Sequence, residues 1–296
     1  MEEGDQGLMR DAASSALLFD VPMAMRPRAL NSLLVSIAPR LSVASASNIK
    51  LKTPVPRASA IGGHSLPGGA WHAGGGIAVL PILGPIMRRP SWLSQACGFT
   101  TYQSITDSLI DLATMQEVRG VLLEIDSPGG EASGCSDAAE LMRKVRLQTG
   151  KPVWAIANDC ACSAAYALAS SASRIWLTRT AEVGSIGVVC AHIDQSARDE
   201  KVGLKWTYIF AGEHKTHGNP HEPLAAEAYA AAKRDVDELQ TMFVKLVSQH
   251  RKMTPSAVRA TKADTFRGKA AVRVGLADRV GTFDECIEAF AEWVRK

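Results

Sequence analysis

The chain of 296 residues carries 33 basic against 30 acidic side chains, for a formal net charge of +3, and 46% of its residues are hydrophobic. That content fills the core of one large or two ordinary globular domains, and the charges are mixed along the chain without the basic block of a nucleic-acid binder, so no nucleic-acid partner is expected. Six cysteines are too few for a disulfide scaffold and lack zinc-site spacing, which reads as free thiols in a reducing compartment.

The apolar run from Ile77 to Met87 is interrupted by Pro81, Gly84 and Pro85. It is about half of the ~20 apolar residues that a spanning helix needs. The start, Met1-Glu-Glu-Gly-Asp5, is acidic where a secretory signal is basic. The expectation is a cytoplasmic chain without membrane contact.

Residues 1–76 read as a loosely ordered arm closed by a flexible linker. Prolines at 22, 27, 39, 54 and 56 break up short apolar pieces, and glycines cluster from Gly62 to Gly76. Within the arm, Leu30, Leu33, Leu34 and Ile37 predict a short helix over Ala29–Leu41. From residue 77 to 296 strands and helices alternate. The pattern gives a strand over Ile77–Ile86 and a helix from about Thr101 to Gln116, with Thr100 and Gln103 as its capping box. A strand over Gly120–Asp126 ends in Ser127-Pro-Gly-Gly130, and a helix follows over Ser133–Thr149. Next come a strand over Val153–Ala157, an alanine-rich helix opening at Ser163, and strands over Arg174–Leu177, Val183–Cys190 and Leu204–Phe210. A long helix over Pro223–His250 has Val236, Leu239, Phe243, Leu246 and Val247 as its buried stripe. Thr254-Pro255 opens another helix, and Phe283–Val294 closes the chain. The series predicts an α/β domain with parallel strands and right-handed crossovers.

Open α/β sheets place ligands at strand ends, where Asp126-Ser-Pro-Gly-Gly130 and the Ser163 turn both fall. A hydroxyl at the first turn of a helix faces free N–H groups, so an oxyanion beside Ser163 would be stabilised; the alternative is that Ser163 only caps the helix. Gly130 and Ala164 offer N–H groups as oxyanion donors, against the plainer reading of an ordinary Pro-Gly turn. A serine nucleophile needs a base. The seven histidines offer candidates, and Lys215 in Phe210-Ala-Gly-Glu-His-Lys215-Thr-His-Gly-Asn-Pro220 is another. A lysine ordinarily titrates near ~10.4, and poising it near neutrality needs roughly 4 kcal/mol of differential interaction, which only a desolvated cleft supplies. Otherwise Lys215 is a solvated surface residue. His214, His217 and His221 invite a metal reading, but Gly218 and Pro220 break the helix that would align them, and neither metal nor cofactor is expected. Cys162 is a rival nucleophile.

Taken together, the motifs resemble the signal peptide peptidase A type of serine peptidases and, within it, the capsid assembly (head maturation) proteases of tailed phages. The likeness runs from about Gly76 to Asp284. It is carried by Gly76-Ile-Ala-Val-Leu-Pro81, Asp126-Ser-Pro-Gly-Gly130, Ala157-Asn-Asp159 with Cys162-Ser163-Ala164, Gly184-Ser185-Ile-Gly187, Ala211-Gly-Glu-His-Lys215 with Gly218-Asn-Pro220, and Gly275-Leu-Ala-Asp278. Asn-Asp before the serine and Gly-Asn-Pro after the lysine look more like the phage branch. The resemblance implies a Clp-protease/crotonase-like fold of repeated β-β-α/βαβ units, Ser163 as nucleophile, Lys215 as general base, Ser185 orienting the lysine amine, and Gly130 as an oxyanion donor. It further implies a ring-like homo-oligomer, in which serine and lysine come from one subunit or from neighbours. The implied substrates are scaffold, portal or capsid proteins inside an assembling procapsid in the bacterial cytoplasm, with the chain's own amino-terminal arm as a further candidate. The sequence departs from the pattern at Ala165, where many relatives carry glycine, and it ends at Lys296 where phage relatives often continue into a scaffold-like tail. Rival readings are an acyl-CoA-handling crotonase, which needs neither Ser163 nor Lys215, and a non-catalytic capsid assembly protein.

Overall fold

The computed structural model describes residues 21–26, 29–30, 64–90 and 99–295. The expected helix over Ala29–Leu41 lies, beyond Leu30, outside the described residues. In chain order the strands are β1 (Met23–Met25), β2 (His64–Ser65), β3 (Trp71–His72), β4 (Ile77–Leu83), β5 (Ile86–Met87), β6 (Thr100–Thr101), β7 (Gly120–Ser127), β8 (Gly129–Glu131), β9 (Val153–Cys162), β10 (Arg174–Leu177), β11 (Glu182–Gly184), β12 (Thr265–Arg267) and β13 (Arg279–Val280). The helices are α1 (Tyr102–Thr114), α2 (Cys135–Thr149), α3 (Ala164–Ser170), α4 (Ser196–Val202), α5 (Ala226–Arg251), α6 (Pro255–Ala260), α7 (Gly268–Arg273) and α8 (Phe283–Arg295).

The main sheet runs β12-β11-β9-β7-β4-β3-β2, with β10 and β13 branching from β9. Its centre is parallel, β4 with β7 and β7 with β9, as the βα alternation predicts. Period-2 side chains divide this centre between two cores. Ala78, Leu80, Ile82, Val121, Leu123, Ile125, Val153 and Ala155 face the larger core with α1, α2, α3 and the end of α5. Ile77, Val79, Leu122, Trp154 and Ile156 face Phe283, Cys286 and Phe290 of α8. Because both faces are covered, these strands read as continuous apolar runs. The sheet also takes in β2 and β3, which pair antiparallel with one another and onto β4 at residues preceding the expected domain start at Ile77.

Several local expectations shift. The capping box of α1 uses Thr101 and Ser104 rather than Thr100 and Gln103, because Thr100 is held in β6 with its hydroxyl donating to the Leu83 carbonyl at 2.6 Å. The strand expected over Val183–Cys190 stops at Gly184. No strand forms over Leu204–Phe210: the segment finds no pairing partner among the described residues and leaves Trp206, Tyr208, Ile209 and Phe210 exposed. In α5 only Phe243, Val244, Leu246 and Val247 join Ala228 in being buried, and Val236 and Leu239 stay half-buried where the helix leaves the body.

A second sheet, β1-β8-β5-β6, crosses the carboxyl ends of the parallel strands. It brings residues near the amino terminus against the Gly129-Gly130 turn.

Candidate active site

β9 carries Ser163 to its place in two steps. The lower half pairs with β7 as far as Ile125↔Ala157, the register then slips, and pairing resumes at Ser127↔Ala161. The lower half also pairs with β10, and the upper half pairs with β11 through Gly184↔Cys162. The strand therefore ends with Ser163 just beyond both Ser127 and Gly184. Ser163 takes φ 55 and ψ −121, its N–H donates to the Gly184 carbonyl at 2.7 Å, and its own carbonyl accepts from Ala167 at 3.0 Å as α3 begins. Such a backbone costs a non-glycine residue about 1–3 kcal/mol, and a strained strand-to-helix turn is how a nucleophile elbow presents its hydroxyl. The hydroxyl makes no capping bond; it reaches the Gly187 carbonyl at 3.3 Å.

Gly129 is the glycine that faces this turn. At φ 107, a Cβ placed on it would lie 3.0 Å from Ser163 Cβ and 2.2 Å from the Ala24 carbonyl oxygen, so only hydrogen fits. Its N–H donates to Ser127 Oγ at 3.3 Å within the buried turn. Gly130, the expected oxyanion donor, sits in the middle of β8 between β1 and β5, and a Cβ there would collide with the Ile86 carbonyl. Ala164 opens α3 directly after Ser163, and both it and Ala165 are fully buried in the larger core.

Ser185 lies beside Ser163 by the same register that pairs Gly184 with Cys162. It too has positive φ, 52, is buried, and donates its N–H to the Asp264 carbonyl at 2.8 Å. Lys215 is not brought to them. It is exposed on a turn closed by its N–H to the Gly212 carbonyl at 3.1 Å, and no hydrogen bond joins it to Ser163 among the described residues. The three nearby imidazoles part company. His214 and His217 face each other at 3.3 Å with Glu227 alongside, while His221 turns away to Asp199 at 2.5 Å and stacks on Trp206. Cys162 is a poor nucleophile here, since its hydrogen bond with Cys160 and its burial push the thiol up.

The structure adds residues that motif reading passes over. Gly129, rather than Gly130, is the glycine packed on Ser163; both lie in the same Pro-Gly-Gly turn, and only the backbone angle separates them. Glu182, buried at the start of β11, pairs with Arg26 at 2.6 Å and with Arg267. β1 lies across Gly129 and leaves Ser163 without solvent exposure. A three-residue strand has no period to detect.

Comparison with known proteins decides the family. The sequence matches peptidase family S49 over residues 145–295, just over half of the chain. The chain belongs to peptidase family S49. The matched region contains Ser163, Ser185 and Lys215. Among similar proteins, the head-tail preconnector protein GP5 of Enterobacteria phage P21 is 39% identical over 216 residues, 73% of this chain and 43% of the relative. Capsid assembly protease C of Escherichia phage lambda is 33% identical over 274 residues, 90% of this chain and 62% of the relative. Protease 4 of Haemophilus influenzae is 25% identical over 224 residues, 74% of this chain and 35% of the relative. The chain thus spans between two fifths and two thirds of the length of the two phage relatives. Among the described residues, no helix is long and apolar enough to cross a membrane.

Proposed function

We propose that this S49 chain is a serine endopeptidase in which Ser163 is the nucleophile, Lys215 the general base and Ser185 the hydroxyl that orients the lysine amine. The observation that carries the reading is the backbone of Ser163, held at positive φ at a strand-to-helix turn against a glycine, with its hydroxyl free of any capping role. Neutral Lys215 takes the Ser163 proton, an acyl-enzyme forms, and the lysine then activates the hydrolytic water. The N–H groups of Gly130 and Ala164 hold the oxyanion.

Lys215 follows the exposed run of Trp206, Tyr208, Ile209 and Phe210, and α5 begins with a largely exposed stretch. Exposed apolar surface of this kind supports a homo-oligomer of Clp-protease/crotonase-like subunits, in which Lys215 serves the Ser163 of a neighbour. The phage relatives, one a capsid assembly protease and one a head-tail preconnector protein, support scaffold, portal or capsid proteins as substrates, within an assembling procapsid.

The test is co-expression with a candidate scaffold. Ser163→Ala and Lys215→Ala each abolish processing; complete cleavage by either variant would overturn the dyad. Mixing the two inactive variants restores activity when the lysine comes from a neighbouring subunit, and leaves none when it comes from the same one.

A further inference from the structure

The residues around β1 do more than cover the site. Arg26 N–H donates to the Pro128 carbonyl at 3.0 Å and Ala132 N–H to the Pro22 carbonyl at 3.0 Å, flanking the register Met23↔Glu131, Ala24↔Gly130, Met25↔Gly129. On the other side Met23 exchanges both backbone bonds with Val189, at 2.7 and 2.9 Å. Alternate residues of a strand bond to opposite sides. With Pro22 and Arg26 bonded toward β8, Ala24 faces the same way, and its carbonyl lies opposite the N–H of Gly130. That carbonyl also hangs over Gly129, on which Ser163 packs. The side chains divide as sharply. Ala24 enters the larger core at 1% exposure, Met23 and Met25 form a separate cluster with Leu30, and Arg26 reaches the buried Glu182 at 2.6 Å and Cys160 Sγ at 3.8 Å. An extended peptide bonded on both edges, with one carbonyl over the glycine on which Ser163 packs, is bound as a peptidase binds what it cuts.

We propose that Pro22–Arg26 is bound here as a substrate, with Ala24 in the acyl position, and that the protein cuts its own Ala24–Met25 bond; the inference rests on the serine-peptidase reading above. Ser163 Oγ adds to the Ala24 carbonyl carbon while its proton passes to the neutral Lys215 amine, and the oxyanion on the Ala24 oxygen accepts from Gly130. The bond to the Met25 nitrogen then breaks, and the lysine returns the proton to that leaving amine. Water hydrolyses the remaining ester, giving an Ala24 carboxylate and free Ser163. The groove accordingly selects extended segments with a small residue at the acyl position and an arginine two residues further on, held by Glu182.

Intact mass and N-terminal sequencing of the full chain over time, with a fluorophosphonate probe for the serine, test this. A new amino terminus at Met25 is expected, with Ser163 labelling rising in step as the arm departs, and neither in Ser163→Ala. A synthetic peptide of residues 16–32 is expected to be cut at the same bond, about tenfold more slowly with A24W, because a pocket filled by a methyl rejects an indole. The R26A peptide is slowed about tenfold as well, since it leaves the Glu182 carboxylate without that partner. Ser163-dependent cleavage of casein by a chain that stays uncut at Ala24–Met25 would overturn the inference and leave the peptidase reading standing. Absence of any cleavage, of arm, peptide or casein, would overturn both.

Discussion

Replacing Gly129 with alanine probes the fit between the Ser163 turn and the strand above it. The backbone there has φ 107, outside the left-handed well that alanine tolerates, which costs about 1–3 kcal/mol. The added methyl would also lie 2.2 Å from the Ala24 carbonyl oxygen and 3.0 Å from Ser163 Cβ. The first contact is with backbone, so relief requires β1 to lift from β8 rather than a side chain to rotate. The expected result is a loss of about 3 kcal/mol, or roughly 6–12 °C in Tm for a chain of this size, with cleavage of an added peptide reduced through the displaced serine. Thermal unfolding followed by circular dichroism, together with a peptide-cleavage assay on the folded variant, reads both. A Gly129→Ala protein with unchanged Tm and unchanged cleavage would refute the claim that only hydrogen fits between Ser163 and the arm.

Asp278 accepts from Ile175 N–H at 2.6 Å and from Arg251 at 2.9 and 3.0 Å. Burial alone would raise its carboxyl, but the Arg251 hydrogen bonds prevail and hold it below the usual carboxylate range. Its contribution is therefore complete above pH ~4 and lost as the pH falls through the depressed folded value; because the carboxylate is over a third exposed and partly screened by solvent, Asp278→Asn should lower stability by about 1 kcal/mol at neutral pH and flatten the acid limb of a Tm-against-pH curve. Tyr166, whose buried hydroxyl donates to the Leu276 carbonyl at 2.9 Å, should lose about 1–2 kcal/mol as Tyr166→Phe in a denaturant titration, because a buried carbonyl is left bare. Ile209→Ser, at a side chain that is 99% exposed, should leave Tm unchanged but shift sedimentation toward smaller species if the 204–210 segment is an interface.

The sheet centre was legible because Ile77–Leu83, Gly120–Ser127 and Val153–Ala157 are buried on both faces, and such burial leaves continuous apolar runs in the sequence. Ser163 was legible as a strand-end serine and Ser185 through the family resemblance, and the structure sets them side by side through the Cys162↔Gly184 register. Leu204–Phe210 misled, because alternating large apolar residues suit a paired strand but do not by themselves make one, and here they stay exposed. What joins two strands is a partner, and sequence alone does not supply one. β1 was beyond reach for a related reason: Met-Ala-Met has no period, and its pairing with Gly129–Glu131 spans more than a hundred residues of chain. That Gly129 is the glycine packed on Ser163 turned on one backbone angle, which composition does not encode.

The second sheet has a further consequence for the molecule outside its own chemistry. β8 is paired with β5 along one side and with β1 along the other. Once β1 is gone, the backbone N–H and C=O groups of Gly129–Glu131 become an open sheet edge, and open edges recruit whatever strand arrives, including strands of misfolded neighbours. Held in place, the amino-terminal segment covers that edge along β8. Released by the self-cleavage proposed above, it would leave an edge that pairs with a guest chiefly through main chain, and so would accommodate guests of differing sequence.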